Sequence, residues 1–377
     1  MADVIVVGGG IIGLSTAWSL RRRGIRSVLV VEKGLCGQGS TAKATGGIRC
    51  QFGAEVNVRL SLASLPYFQD WEAIHGGDVA YHAVGYTFLA TSPAHLEAQS
   101  RGAAVQRACG ARVELLTPLA VSEQLPGVDM SGVLGASFGP DDGLADPGAA
   151  VSSLFGSCRR AGVAIEEGVE VVRLVVESDG VRGVETGGRR IDADVVIVAA
   201  GPWSAPLLSR IGCELPVTPQ HRQVYRAVGV ERLPAPCPFV VDLGTGVYFH
   251  GDGCGLVFGG GDRGGTPGYD ESFRSGDAAR IIGLLAQRLP HALDARLVGG
   301  WAGIRDMTPD DIGILGPIPG VDGLLVATGF SGHGFMHAPA VGDEVARMVM
   351  GQAPGVDVSA LAPSRFDTGL TGESYVF

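Results

Sequence analysis

The sequence predicts an α/β fold of the α+β kind, a Rossmann-like parallel-sheet domain interleaved with a domain of antiparallel sheet. Three observations predict it. Residues 4–13, Val4-Ile5-Val6-Val7-Gly8-Gly9-Gly10-Ile11-Ile12-Gly13, run from a β-branched strand through G-x-G-x-x-G into a helical pattern. Apolar strands that end in small residues return at 193–201 and 323–329. Between these segments lie short strands separated by turn residues, the pattern of antiparallel sheet.

Each element has a local reason. Gly8 supplies the tight turn, Gly10 lets backbone approach a phosphate, and Gly13 lets helix and strand close on each other. A helix is expected over 11–23, stopped by Gly24. A second strand, 27–31, ends on Glu32, about 20 residues past the glycines, where an acid can accept from a ribose hydroxyl. An acid there disfavours a phosphorylated ribose. Ile11 and Ile12 at the helix start and Lys33 beside the acid complete the expected contact set. The loop 34–49 is small, polar and glycine-rich, and its Ser40 and Thr41 hydroxyls can reach phosphate. Helices follow over 56–74, 93–109 and 147–161, with strands at 84–90 and 163–177. Short strands are expected at 223–228, 246–250 and 255–260, and a last helix over 339–350 stopped by Gly351. The dinucleotide domain is thus expected over 1–80, 142–215 and 306–363, the antiparallel domain over 81–141 and 216–305, and a tail over 364–377.

Composition narrows the partners. A chain of 377 residues can bury two cores. A net charge of −10 argues against nucleic acid and anionic membrane surfaces. Seven scattered cysteines (36, 50, 109, 158, 213, 237, 254) form no C-x-x-C and no cluster with histidine. That spacing predicts reduced thiols, no metal, and a cytoplasmic setting. The glycine motif starts at residue 8, which leaves no room for a signal peptide ahead of it. No apolar stretch approaches 18 residues, so no membrane span is expected.

Three further motifs narrow the chemistry. They are Ala199-Ala200-Gly201-Pro202-Trp203-Ser204, the run Gly303-Ile304-Arg305-Asp306-Met307-Thr308-Pro309-Asp310, and Gly329-Phe330-Ser331-Gly332-His333-Gly334-Phe335. With the N-terminal glycines, they make nearly the whole chain resemble the D-amino-acid oxidase/glycine oxidase/sarcosine oxidase superfamily of FAD enzymes. The resemblance implies FAD and oxidation of the C–N bond of an amino acid or N-alkyl (secondary) amino acid, with hydride passing to flavin N5 and the imine then hydrolysed. It implies pyrophosphate at Gly8, Gly10 and Gly13, ribose at Glu32, and the ribityl–phosphate stretch along Ser40 and Thr41. Val169 would read adenine through its backbone, and Ala200, Gly201 and Trp203 would also contact the cofactor. Gly332, His333, Gly334 and Phe335 would lie beside the flavin pyrimidine, with the positive end of the helix near Pro339 aimed at them.

By the same resemblance Arg305 anchors the substrate carboxylate, and a planar guanidinium suits that bidentate task. Arg49 matches an arginine beside the flavin, and Tyr248 an active-site tyrosine, of the sarcosine branch. Departures from that branch matter too. Gly303 replaces the cysteine that attaches FAD, so FAD is expected to be non-covalent. Met336 and Val257 replace a carboxylate-binding and an oxygen-activating lysine, which leaves oxygen, a quinone or a protein as the electron acceptor. The partners expected are a small amine or amino acid and a possible homo- or hetero-oligomer. Two alternatives stand beside this reading: a 2-hydroxy-acid dehydrogenase, or a flavin-carrying subunit of a multi-subunit amine dehydrogenase.

Overall fold

The computed structural model describes residues 2–178, 180–230, 236–253, 255–261, 267–367 and 372–373. Cys254 and most of the expected tail (368–371 and 374–377) lie outside the described residues. The first strand, Ala2–Val7, sits in the middle of a sheet between Val28–Glu32 and Arg190–Val198, parallel to both. Leu324–Thr328 pairs in parallel with Arg190–Val198, and Ala164–Glu167 with Val28–Glu32. An antiparallel strand, Ile314–Pro317, closes one edge. The three apolar strands from the start, middle and end of the chain therefore lie side by side. They read as near-continuous Val/Ile/Leu runs because both faces of a parallel sheet are covered. Ile5, Val6, Val30, Val196 and Val198 are fully buried, and each such side chain stabilises the fold by roughly 1.5–3 kcal/mol.

The helix Ile11–Arg22 and the C-terminal helix Gly334–Val349 cover one face of this sheet. The two helices meet closely at Gly342, where a Cβ would stand 2.5 Å from the Ser15 carbonyl carbon.

The second sheet has the order Arg296–Met307, Thr218–Val228, Gly255–Gly260, Val247–Asp252, Phe239–Asp242, Tyr86–Ala90, Gly135–Gly139 and Glu114–Leu116. Its pairs are antiparallel except Tyr86–Ala90 with Phe239–Asp242. One face packs on its own core, with Tyr225, Phe249, Leu256 and Phe258 against the helix Ala278–Leu285. The other face carries Tyr86, Phe88, Phe239, Val241 and Tyr248. A 3-10 turn, Ser40–Lys43, stitches the two halves: Ser40 Oγ donates to Ile304 O at 2.6 Å, and Trp301 Nε1 donates to Lys43 O at 2.9 Å.

Three sequence expectations need correction. The helix expected over 56–74 breaks at Asp70 into Glu55–Gln69 and Trp71–His75. The strand expected over 163–177 is two strands, Ala164–Glu167 and Val171–Glu177, with Gly168 between them at φ +72°. The last helix begins at Gly334, and Pro339 lies inside it. Proline leaves a gap in the helical hydrogen-bond ladder, and the next amide, Ala340 N–H, donates to Ser64 Oγ at 3.1 Å.

The Gly342 contact yields a stability prediction. Gly342→Ala adds a methyl against backbone, so it should lose about 1–3 kcal/mol in urea unfolding despite the gain of about 1 kcal/mol in helix propensity. A net gain would show that the two helices separate freely.

Candidate active site

A cavity of about 510 Å³ opens where the carboxyl ends of the parallel strands face the second sheet. Its first wall is the glycine turn. Gly8 has φ +108°, and a Cβ there would lie 2.4 Å from Ala199 O. Only glycine lets the strand end and the Ala199–Gly201 segment approach this closely. Gly10, Ile11 and Ile12 line the cavity, whereas Gly13 does not. A Cβ on Gly13 would stand 1.9 Å from Gly8 O, so Gly13 acts behind the wall, letting the turn fold onto its own helix.

The helix Ile11–Arg22 has no acid in its first turn and no side-chain cap from Gly10. Thr41 Oγ1 accepts from Ile11 N–H at 3.2 Å. The next amides of the first turn lack helical acceptors and form the positive end of the helix dipole. Such a helix end is able to hold a phosphate-type anion.

The acid at the strand end is well fixed. Glu32 Oε2 accepts from Gly9 N–H at 2.7 Å, and Oε1 from Gly34 N–H at 2.8 Å. Lys33 Nζ sits 3.4 Å above the Trp203 ring, and burial lowers its pKa. Glu32, Lys33, Ser40, Thr41, Ala200, Gly201 and Trp203 all line the cavity. Val169 does not; its N–H donates to Glu32 O at 2.9 Å, and its neighbours Glu170 and Val171 face the cavity instead.

Another part of the wall is built by the loop 329–334. Gly332 has φ +89°, and a Cβ there would lie 3.0 Å from Arg305 Nε, so this glycine makes room for the guanidinium. Because the helix starts at Gly334, its positive end falls directly on Gly332–Gly334 rather than five residues downstream. His333, Gly334 and Phe335 line the same part of the wall. Asp306 Oδ2 accepts from Gly329 N–H at 2.7 Å, and Thr308 N–H donates to Ser331 Oγ at 3.1 Å. The strand that carries Arg305 is thus bonded to the loop it faces. Burial raises the Asp306 pKa to about 6.

Arg305, Arg49 and Tyr248 all reach this cavity. Arg305 stands opposite Gln220 in the strand pair Thr218–Val228 and Arg296–Met307. Arg49 is 1% exposed, lies 3.9 Å over the Phe52 ring, and donates to Gln51 O. Its other terminal nitrogen is 3.2 Å from His333 Nε2. An arginine only donates, so Nε2 accepts, the His333 proton is on Nδ1, and the imidazole is neutral. Burial, then the Arg49 charge, holds the His333 pKa well below its usual value. Tyr248 leans over Gly259, where a Cβ would lie 2.5 Å from its hydroxyl. Burial raises its pKa, while Arg305 and Arg222 pull it down.

Sequence reasoning passed over several groups. Arg222 lines the cavity opposite Gly303, one alternating position from the Gln220–Arg305 pair. Its signal was the period-two pattern along 218–228, which puts residues 220, 222 and 224 on one face. Lys43 fills the space a side chain at 303 would need, its Cβ 2.4 Å from where a Gly303 Cβ would stand. Asp142 was missed altogether. Its Oδ1 accepts from Cys50 N–H at 2.7 Å and its Oδ2 from Gln51 Nε2 at 3.0 Å, clamping the segment that carries Arg49. Val257 is buried and is not among the residues lining the cavity.

Comparison with known proteins agrees with this architecture. The family model described as "DAO: FAD dependent oxidoreductase" matches residues 3–348. FAD-dependent oxidoreductase domain-containing protein 1 of Bos taurus is 31% identical, over 99% of this chain and 86% of its own length. Glycine oxidase of Geobacillus kaustophilus is 29% identical, over 96% of this chain and 97% of its own. Mitochondrial dimethylglycine dehydrogenase of Homo sapiens is 28% identical, and the match spans only 45% of that longer protein. Among solved structures, L-proline dehydrogenase from P. horikoshii superposes with a TM-score of 0.90 at 30% identity, covering 98% of both chains.

The Asp142 clamp has a pH signature. Burial is the largest cause raising its pKa to about 7 from 3.8, against the Gln51 and Cys50 bonds and the Arg49 charge. Between those values the folded chain binds more protons than the unfolded one. Its contribution to stability therefore falls as pH rises through that window and is level above it. Asp142→Asn should gain stability relative to the native chain from about pH 4 to about pH 7 in urea titrations, then plateau. A pH-independent difference would contradict the assignment.

Proposed function

The chain belongs to the FAD-dependent oxidoreductase family, whose chemistry here is oxidation of an amino acid at its C–N bond, and we propose that Arg305 anchors the substrate carboxylate. The observation that carries the anchor is the packing of Arg305 against Gly332, beside the start of the C-terminal helix. Arg305, Gly332 and Gly334 line the same cavity as Gly8 and Gly10, which supports one continuous site for carboxylate and cofactor. The glycine-turn cradle fits FAD: Gly10 lines the cavity with no side chain of its own in the way, and the helix end presents amides to a pyrophosphate. Glu32 would take the adenosine ribose, and the amides of Gly332 and Gly334 would face the flavin pyrimidine.

FAD, when bound, supplies the two-electron acceptor for the substrate C–N bond. The chain supplies orientation. Arg305 can grip both carboxylate oxygens, fixing the direction of the α-carbon as well as its position. The Tyr248 phenol, kept protonated, can donate a further hydrogen bond. Guanidinium groups on this wall disfavour a second cation, so they favour the neutral amine over the ammonium form. Arg49, stacked on Phe52 and bonded to His333, holds the neutral His333 ring at the mouth of the loop, and we place it beside the flavin. Secondary and N-alkyl amino acids are the substrates we favour, with FAD held non-covalently.

We place the domain boundaries at 1–80, 142–215 and 306–363 against 81–141 and 216–305, a division supported by which sheet each strand joins. Among the described residues, Cys36, Cys50, Cys109, Cys158, Cys213 and Cys237 are free thiols, which supports a reducing, cytoplasmic setting. No helix among the described residues is long and apolar enough to cross a membrane.

Anaerobic mixing with an amino-acid panel should bleach the flavin, and a matched 2-hydroxy-acid panel should not. Arg305→Ala should raise KM for the bleaching substrate by about 30- to 1,000-fold, the loss of a charge-assisted bidentate contact, with the flavin absorbance retained. An unchanged KM would remove Arg305 as the anchor, and bleaching by hydroxy acids alone would reassign the chemistry to C–O oxidation.

A further inference from the structure

Glu373 lies near the end of the chain, outside every motif discussed so far, yet it is 8% exposed. Its Oε1 accepts from Gly53 N–H at 2.5 Å, and its Oε2 from Ala54 N–H at 3.1 Å and Asn57 Nδ2 at 3.0 Å. These groups open the helix Glu55–Gln69, whose own N-cap residue, Ala54, has no side-chain acceptor. A carboxylate at that position satisfies orphan amides and complements the helix dipole. The cap thus arrives from more than 300 residues away in sequence.

The same residue is bonded in a second direction. Glu373 N–H donates to Asp310 O at 2.9 Å. Asp310 is itself held by Arg365, at 2.8 Å from Nε and 3.1 Å from a terminal nitrogen. Asp310 follows Arg305 by five positions, and between them Thr308 is bonded to Ser331 of the loop 329–334. On the other side, Gly53 directly follows Phe52, whose ring lies under the Arg49 guanidinium and 4.8 Å from the His333 ring centroid.

We propose that Glu373 is a positioning residue for the amino-acid site, a strap that fixes the Arg49–Phe52 segment against the strand-end loop following Arg305. The proposal rests on the reading of Arg305 as carboxylate anchor. A residue that merely capped a helix would need only the Gly53, Ala54 and Asn57 bonds. Glu373 also bonds the loop behind Arg305, so its loss lets the two arginine-bearing segments move relative to each other.

Capping and strapping separate experimentally. Ala54 has extended backbone, φ −85° and ψ 126°, which suits a serine N-cap. Holoenzyme carrying Glu373→Ala should lose both stability and ligand affinity. Adding Ala54→Ser should restore the melting temperature by capping the helix locally, without restoring the strap. Acetate binding, read from perturbation of the flavin absorbance, and KM for the bleaching amino acid should then stay at least about fivefold weaker than in the native enzyme, the scale expected of a small misplacement. A smaller change in the double variant overturns the proposal and leaves Glu373 a helix cap. Arg305→Ala runs in the same titration. If it binds acetate as the native enzyme does, the carboxylate-anchor reading has failed; if it alone weakens acetate, only the strap has.

Discussion

The close passage of the Gly8 turn beneath Ala199 is the constraint on which the rest depends. A strand, a helix start and the end of a neighbouring strand share a space too small for any Cβ. Because they share it, the helix Ile11–Arg22 points its uncapped end across the carboxyl edge of the sheet, and the cavity opens there. Two other segments must then reach the same edge: the loop 34–49, through Thr41, and the loop 329–334, through the bonds of Asp306 and Thr308. The antiparallel sheet needs only to lay one face over the opening.

That face carries the chemistry that distinguishes this chain. A parallel sheet with a glycine turn binds a dinucleotide without choosing a reaction. Here the covering sheet brings Arg305, Arg222 and Tyr248 to the wall, and the end of the loop 34–49 brings Arg49. The Arg49 guanidinium is not a simple surface cation. It is stacked, bonded to His333 and placed on a backbone clamped by Asp142, so its position is determined by three separate parts of the chain.

Much of this was readable from the sequence, for reasons that also explain the gaps. The parallel strands announced themselves because burial on both faces demands unbroken apolar runs, and the glycine motif because steric closeness demands glycine. The start of the C-terminal helix was missed because Pro339 reads as a first-turn residue, whereas it lies inside the helix, followed by Ala340, whose N–H donates to Ser64 Oγ. The packing role read for Gly13 is what the structure shows, while Val169 lies outside the cavity lining and bonds Glu32 through its backbone. Arg222 was legible only through strand alternation, whereas Asp142 and Glu373 carry no local signal, since their partners lie tens to hundreds of residues away. A polar side chain whose role is long-range is invisible to spacing.

Gly303 has a consequence for the life of the protein rather than for its catalysis. With Lys43 packed where a side chain would stand, no thioether tether can form at that position, and for the non-covalent FAD proposed above occupancy of the cradle is a matter of mass action. A ligand that binds only the folded chain adds stability that grows with the logarithm of its free concentration. The folded population is then coupled to the local supply of flavin nucleotide.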